Sequence, residues 1–449
     1  MLQPDLTTLK SGLRILRIPM PSVKSATVLA LVNTGSRYEE AKQFGIAHFF
    51  EHMVFKGTEQ YPTAQDLAMA VDSIGANFNA FTSKEYTGYY VHAAAEQIDL
   101  ALNVVSDMLL TPKLRQEDID REKGVIIEEI NMYVDSPTSH INNKFDQMAY
   151  AGSGLEHDIL GFKETVSSMT SNDFVSFLSQ WYGFDNIVLV IAGDDRVVGS
   201  PTMVEKVELA FSKDAVGNRV AGADPKKLLN FKHSPVSKNT MHIENRKTEQ
   251  SHFVLGWPAL KRGDERKYTL GMLNTILGGN MSSRLFSEVR EQRGLCYYVH
   301  SSVDQFHDGG LFGAAAGVDP KRVDEAIEVT IDQFNQVAAG KRPITAKELE
   351  MAKQYLSGKV VLGLEDSQSV AQFFGMRLLL QDKLDTPDEI LEQYKHITVD
   401  QVNELATEII KPDEIKFAII GQYSDETDGE RFKGLAHGNP RVTKDEDKK

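Results

Sequence analysis

The stretch TSNDFVSFLSQWYGFDNIVLVIAG, Thr170 to Gly193, aligns without a gap onto TVDQVNELATEIIKPDEIKFAIIG, Thr398 to Gly421, every pair being 228 residues apart. Each copy begins with a Thr suited to a helix N-cap, continues as an amphipathic helix, breaks, and ends in an apolar strand closed by Gly. A unit recurring at one fixed separation points to one fold used twice. The 449 residues are therefore expected to form two homologous domains, 1–213 and 239–436. Between them 214–238, with Gly217, Gly222, Pro225 and Pro235 among polar residues, reads as a linker, and 437–449 as a charged, mobile tail.

Working outward from the first copy, Leu13 to Arg17 and Ser25 to Val32 have strand composition. Thr63 to Ile74 is a helix with Thr63 as N-cap and Gly75 as stop, and Phe78 to Phe81 with Tyr86 to His92 read as a hairpin-like pair of strands. Helices follow over Ala94 to Leu109 and Gln116 to Tyr133. Beyond the linker, Tyr268 to Leu277 and Arg284 to Gln292 read as helices, Gly309 to Val318 as a strand and Val323 to Gln336 as a helix. Each half is thus α+β, an antiparallel-rich sheet with helices packed on one face.

Composition narrows the function. With 41% hydrophobic and 25% charged residues the chain is that of an ordinary globular protein. A formal charge of −15 argues against nucleic acid or an anionic membrane as partner, since phosphate binding needs clustered Lys and Arg. One cysteine, Cys296, excludes an intramolecular disulfide and fits a reducing compartment; no His or Asn pattern around it supports a nucleophile. No basic segment followed by an apolar run opens the chain, and the run Ala26 to Val32 is far too short to span a bilayer. A cytoplasmic location is expected.

The chemistry centres on His48-Phe49-Phe50-Glu51-His52, an H-x-x-E-H in a segment, roughly Phe44 to Phe55, that reads as helix. At about 100° per residue the two histidines lie some 40° apart, and Glu51 about 60° to the other side of His48. Two imidazoles one turn apart can share a Zn²⁺, which lowers the pKa of bound water so that a carboxylate such as Glu51 can act as its base. In isolation the motif equally fits a helix with ordinary histidines, so a third ligand decides.

Gln116 to Tyr133 supplies one. Ile119, Ile126, Ile130 and Tyr133 form an apolar stripe; Glu122 and Glu129 fall in or beside it, and Glu128 points away. A carboxylate on a buried face is costly unless paired or bound to metal, which selects Glu129 over Glu128. Glu122, two turns earlier, is too far along the axis to share the ion but can accept a hydrogen bond from a ligating imidazole. An acid solvated on a charged helix is the alternative for Glu122.

These residues, with 76 positions between His52 and Glu129, resemble the pitrilysin/insulinase family of zinc metallopeptidases. Gly35-Ser36-Arg37-Tyr38-Glu39 is similar to the family's G-S-R-x-E, and Asn79-Ala80-Phe81-Thr82-Ser83 to its N-A-x-T-S segment. Ser283-Arg284-Leu285-Phe286, then Arg290 with Gly294-Leu295-Cys296-Tyr297, resemble S-R-L-F and the Arg and Tyr that orient substrate. At the 228-residue offset His48, Glu51, His52 and Glu129 fall on Ile276, Gly279, Asn280 and Ser357, so the second half lacks the metal ligands.

The resemblance implies a zinc endopeptidase, one Zn²⁺ per chain, acting on peptides or unfolded segments inside a closed chamber. It makes Asn79, Ala80 and Phe81 part of an edge strand that takes an extended peptide by β-augmentation. It makes Arg290 a contact to the peptide backbone and Tyr297 a donor to the developing oxyanion. From the residues alone, Asn79 also fits a turn, and Arg290 a surface ion pair. Shorter chains of the family pair up, so a homodimer is expected, with Arg290 and Tyr297 acting in trans. A non-catalytic assembly subunit of the same fold, or a hydrolase of non-peptide substrates, is the alternative.

Overall fold

A computed structural model describes residues 2–212 and 240–437; the expected linker lies outside them, as does the tail from 438 on. The chain divides into two compact units, taken separately below: 1–131, 157–231 and 359–390 form one, and 132–156, 232–358 and 391–449 the other.

The first unit is built on a six-stranded sheet. Its strands are β1 (Asp5–Thr8), β2 (Arg14–Met20), β3 (Ser25–Val32), β4 (Asn77–Thr82), β5 (Thr87–Ala94) and β6 (Ile187–Asp194), in the order β1-β2-β6-β3-β5-β4. Only β2 and β6 pair in parallel; every other neighbour is antiparallel. β6 is buried along its whole length, as is β3 after its first residue, instead of alternating, which is what a strand covered on both faces looks like.

On one face Val28, Ala30, Leu189 and Ile191 join a core with helices α1 (Ile46–Met53), α2 (Ala64–Asp72), α3 (Ile98–Leu110), α4 (Gln116–Asp135) and Ser171–Trp181. On the other, Leu29, Leu31, Val188 and Val190 pack against Val370, Ala371, Phe374 and Leu378 of the helix Ser367–Gln381. Gly375 lets that helix lie close, because a Cβ there would stand 2.7 Å from both Leu31 Cδ1 and Val190 Cγ2. The helical layer expected on one face is present, and a helix from the second half of the sequence covers the opposite one.

The second unit carries β7 (Met241–Asn245), β8 (Ser251–Ala259), β9 (Cys296–Gln305), β10 (Gly310–Val318) and β11 (Lys416–Gly421), ordered β7-β11-β8-β10-β9. Again one pair, β7 with β11, is parallel and the rest antiparallel, so the sheet repeats the first without β1. Ile141, Phe145 and Met148 of helix α5 (Pro137–Ala149) cover one face through Val254, Leu311, Ala315, Ala418 and Ile420. On the other, Phe334 meets Trp257 and Phe312 with ring centroids 5.0 and 5.5 Å apart.

The repeat is visible in detail. Thr170 N–H donates to Asp173 at 2.8 Å and Thr398 N–H to Gln401 at 2.9 Å, the same reciprocal cap at the same place, and each helix leads to the strand that pairs in parallel.

Candidate active site

α1 begins where Gly45, at φ +95°, turns the chain; a Cβ there would lie 2.4 Å from Leu160 O, so a side chain is excluded. Ile46, Phe49, Phe50 and Met53 bury the helix in the core, and the remaining arc presents His48, Glu51 and His52. α4 lies opposite. Ile119, Glu122 and Ile126 are buried, Glu129 is half-buried and Tyr133 is exposed. Glu128 faces solvent, accepting from Asn131 at 3.4 Å.

Three ligand atoms converge. Glu129 Oε2 stands 3.7 Å from His48 Nε2 and 3.4 Å from His52 Nε2, and one atom from each residue fits within 4.8 Å of the others. Among the described residues this is the one group of three or more His, Cys, Asp or Glu so arranged. Two imidazole nitrogens and a carboxylate oxygen are the donor set of a three-ligand catalytic zinc.

The surroundings prepare the donors. His52 Nδ1 lies 2.9 Å from Glu122 Oε1, which leaves Nε2 free to face the cluster. Lys56 Nζ reaches the other Glu122 oxygen at 2.5 Å. Burial opposes ionisation of Glu122, but these two partners outweigh it and hold the carboxyl below the ordinary range. Burial, helped by the neighbouring His52, pushes His48 down to about 4, so its ring is neutral near pH 7. Its Nδ1 is buried without a hydrogen-bond partner.

Glu51 stands beside the cluster. Burial raises its pKa; a 2.6 Å hydrogen bond from Thr82 Oγ1 and the nearby His52 oppose the shift, and Glu129 adds to it.

Comparison with known proteins shows which family the chain belongs to. The family profile described as "Insulinase (Peptidase family M16)" matches residues 14–162, and "Peptidase M16 inactive domain" matches 168–356. An uncharacterized zinc protease of Streptomyces coelicolor is 36% identical over 93% of this chain and 90% of its own length. This chain belongs to the insulinase family, peptidase family M16. An uncharacterized zinc protease of Bacillus subtilis is 34% identical over 90% of this chain and 95% of its own. In fold, the M16 chain is similar to a protease from Helicobacter pylori, with TM-score 0.86, 23% identity, and 94% and 100% of the two chains covered. A Pseudomonas fluorescens structure titled peptidase M16 inactive domain gives TM-score 0.84 at 18% identity, covering 94% and 98%. Among the described residues of this M16 chain, no helix is long and apolar enough to cross a membrane.

β4, which carries Asn79, Ala80 and Phe81, is an edge strand, and its last residue is the Thr82 that touches Glu51. Asn79 is exposed, and its Oδ1 accepts from the Ala80 N–H at 2.9 Å. Ala80 is buried, and the Phe81 ring lies over Gly88, where a Cβ would stand 2.2 Å from it. The side chain of Ala80 belongs to one core of the unit, and that of Phe81 packs against the core on the other face of the sheet.

In the second unit the guanidinium of Arg290, on the π-helical turn Phe286–Glu291, sits 4.8 Å from the Phe286 ring centre and 6.0 Å from that of Tyr297. Tyr297 is 74% exposed. The structure thus brings together the two residues paired in sequence. The neighbouring Cys296 thiol is pushed up to about 11 by burial, which Arg290 only partly opposes, so it is not a thiolate near neutrality.

The sequence reading gave no role to Lys56 or His157 and quoted Glu39 and Thr82 only inside motifs; in the structure Glu39 accepts from Gly45 and Ala47 N–H at the start of α1, and His157 Nε2 stands 3.5 Å from its carboxylate. Lys56 lies just past the end of α1, four residues after His52. His157 belongs to no motif, and nothing local announces it.

Proposed function

We propose that this chain is a zinc-dependent endopeptidase that hydrolyses peptides or unfolded protein segments within a closed chamber formed by a homodimer. The observation that carries the reading is the meeting of His48 Nε2, His52 Nε2 and Glu129 Oε2 beside Glu51, at the end of an open strand edge.

His48, His52 and Glu129 would hold one zinc per chain. When bound, zinc polarises a peptide carbonyl and makes a water molecule acidic near neutral pH. The chain's own residues do the rest. The edge of β4 aligns an extended peptide through its main chain, which suits any sequence. Glu51, kept basic by burial and oriented by Thr82, takes a proton from water and passes it to the leaving amine. Glu122 holds His52 in the tautomer with Nδ1–H, and Lys56 anchors Glu122. Arg290 and Tyr297 are assigned, in trans, to the peptide backbone and to the developing oxyanion.

The test is digestion of a mixed peptide library by the purified protein beside Glu51→Gln, with zinc measured on both. Zinc near one per chain in both, with cleavage by wild type alone, supports the reading. Zinc without cleavage in either favours an assembly subunit, and absence of zinc sinks the metal centre. Oligomeric state in solution tests the dimer; a fully active monomer would refute action in trans.

A further inference from the structure

α1 has no side-chain cap of its own, since the residue before it is Gly45. The first N–H groups of a helix nevertheless need acceptors. Glu39 supplies them from six residues upstream: one carboxylate oxygen accepts from Gly45 N–H at 2.7 Å, the other from Ala47 N–H at 2.9 Å. The side chain is fully buried, and Ala47 immediately precedes His48. The negative charge also sits at the positive end of the helix dipole.

His157 closes the other side of this carboxylate. Its Nε2 stands 2.7 Å from Ser36 O and 3.5 Å from Glu39 Oε2; a carbonyl only accepts, so Nε2 carries the proton. The ring stacks on Phe44 with centroids 3.8 Å apart, and the His157 carbonyl accepts from Lys84 Nζ. Ser36 and Arg37 N–H groups donate in turn to Ser83 O and Lys84 O, at 3.2 and 2.9 Å, in the turn between β4 and β5. Arg37 and Glu85 form a fully buried ion pair in the same place. A single cluster therefore joins the start of α1 to the hairpin whose first strand ends at Thr82.

We propose that Glu39 and His157 are positioning residues that fix α1 against the β4–β5 hairpin, and so set where His48 and His52 meet Glu129 and where Glu51 meets Thr82. The inference rests on the metal-centre reading above. A cap in the usual place would hold the helix start alone, whereas the acceptor used here is bound into the hairpin through His157 and Ser36. Register of the ligand-bearing helix and placement of the open strand edge then depend on the same carboxylate.

The experiment compares wild type, Glu39→Ala, Glu39→Gln and His157→Gln for zinc affinity by chelator competition, for the visible spectrum of the cobalt(II)-substituted protein, and for melting of the metal-free form. Glu39→Ala is expected to bind zinc about tenfold more weakly, the lower end of what loss of a supporting shell costs, with altered cobalt bands. Glu39→Gln keeps one acceptor oxygen and should recover part of the affinity and of the spectrum. His157→Gln should move both readouts in the direction of Glu39→Ala. If Glu39→Ala does not fold, the other two variants carry the test.

Variants that match wild type within about twofold in zinc affinity, below what loss of a supporting shell costs, and share its cobalt spectrum would overturn the proposal even if their melting temperatures fall, since that is a cap serving stability alone. A wild type that binds no zinc removes the metal reading and this inference with it. Normal wild-type binding with unaltered variants removes only this inference.

Discussion

Replacing Glu122 by Gln should weaken zinc binding while leaving all three ligands in place. The carboxylate accepts from His52 Nδ1 at 2.9 Å and from Lys56 Nζ at 2.5 Å. Gln can still present an oxygen to His52, but as a neutral acceptor, and a charge-assisted bond of about 1.5–3 kcal/mol becomes a neutral one of about 1 kcal/mol. The loss of about 0.5–2 kcal/mol corresponds to about 2–30-fold in zinc affinity, because about 1.4 kcal/mol is tenfold, provided the bond acts chiefly in the metal-bound state. Glu122→Ala, which also frees the ring to turn, should lie nearer 100-fold, the upper figure for removing such a partner. Competition with a chelator of known affinity, at fixed pH and on metal-free protein, reads both variants. Affinity unchanged in Glu122→Ala would refute the reasoning, since it would mean the 2.9 Å contact does nothing for the ligand.

Other outcomes follow from the same geometry. Glu51→Gln should lower peptide cleavage by about 10²–10⁴-fold with zinc content unchanged, as expected for loss of a general base, and a cleavage rate within a few-fold of wild type would assign the base elsewhere. Phe374→Ala removes a fully buried ring between the Ser367–Gln381 helix and the first sheet and should cost about 3–5 kcal/mol in urea unfolding; under about 1 kcal/mol would mean the helix does not cover a core. Burial opposes ionisation of Glu348, but Arg284 at 2.7 Å and the Thr345 bonds outweigh it and hold the carboxyl at about 2. A depressed acid stabilises fully above its ordinary value of 4.5 and loses that contribution as pH falls towards 2, so the stability gap between wild type and Glu348→Gln should shrink across that window. After discounting for partial exposure the gap is about 1–2 kcal/mol at neutral pH, and a gap independent of pH would disprove the assignment.

How much of this was legible in the sequence follows the range of each signal. The motif helix and the third candidate ligand rest on local periodicity: Glu129 beside buried Ile126, and Glu128 turned to solvent, follow from the helical repeat. The edge position of β4 came only through family resemblance, since an edge strand and an inner one can share a composition. Glu39 was quoted as part of G-S-R-Y-E, yet its role as a cap for Gly45 and Ala47 depends on a chain reversal that no spacing encodes. His157 is harder still, because it meets Ser36 across 121 residues.

The helices on the far face of each sheet were invisible for a related reason, although their effect on the strands was on view. Ser25–Val32 and Ile187–Asp194 are apolar without alternation, and such strands need cover on both faces. What the pattern does not say is which segment provides it. In the first unit it is Ser367–Gln381 and in the second Pro137–Ala149, each drawn from the other half of the sequence. Duplication accounts for the two sheets and their matching caps, and the ligand positions then diverge. In the second unit the helix Lys267–Leu277, which follows β8 as α1 follows β3, carries no His, Asp or Glu and buries Leu270, Leu273 and Ile276. A buried imidazole without metal or hydrogen-bond partners costs stability, while buried aliphatic side chains add to the core. The second unit keeps the helix with an aliphatic buried face and none of the candidate ligands, which is the arrangement expected if only the first was selected to hold a metal.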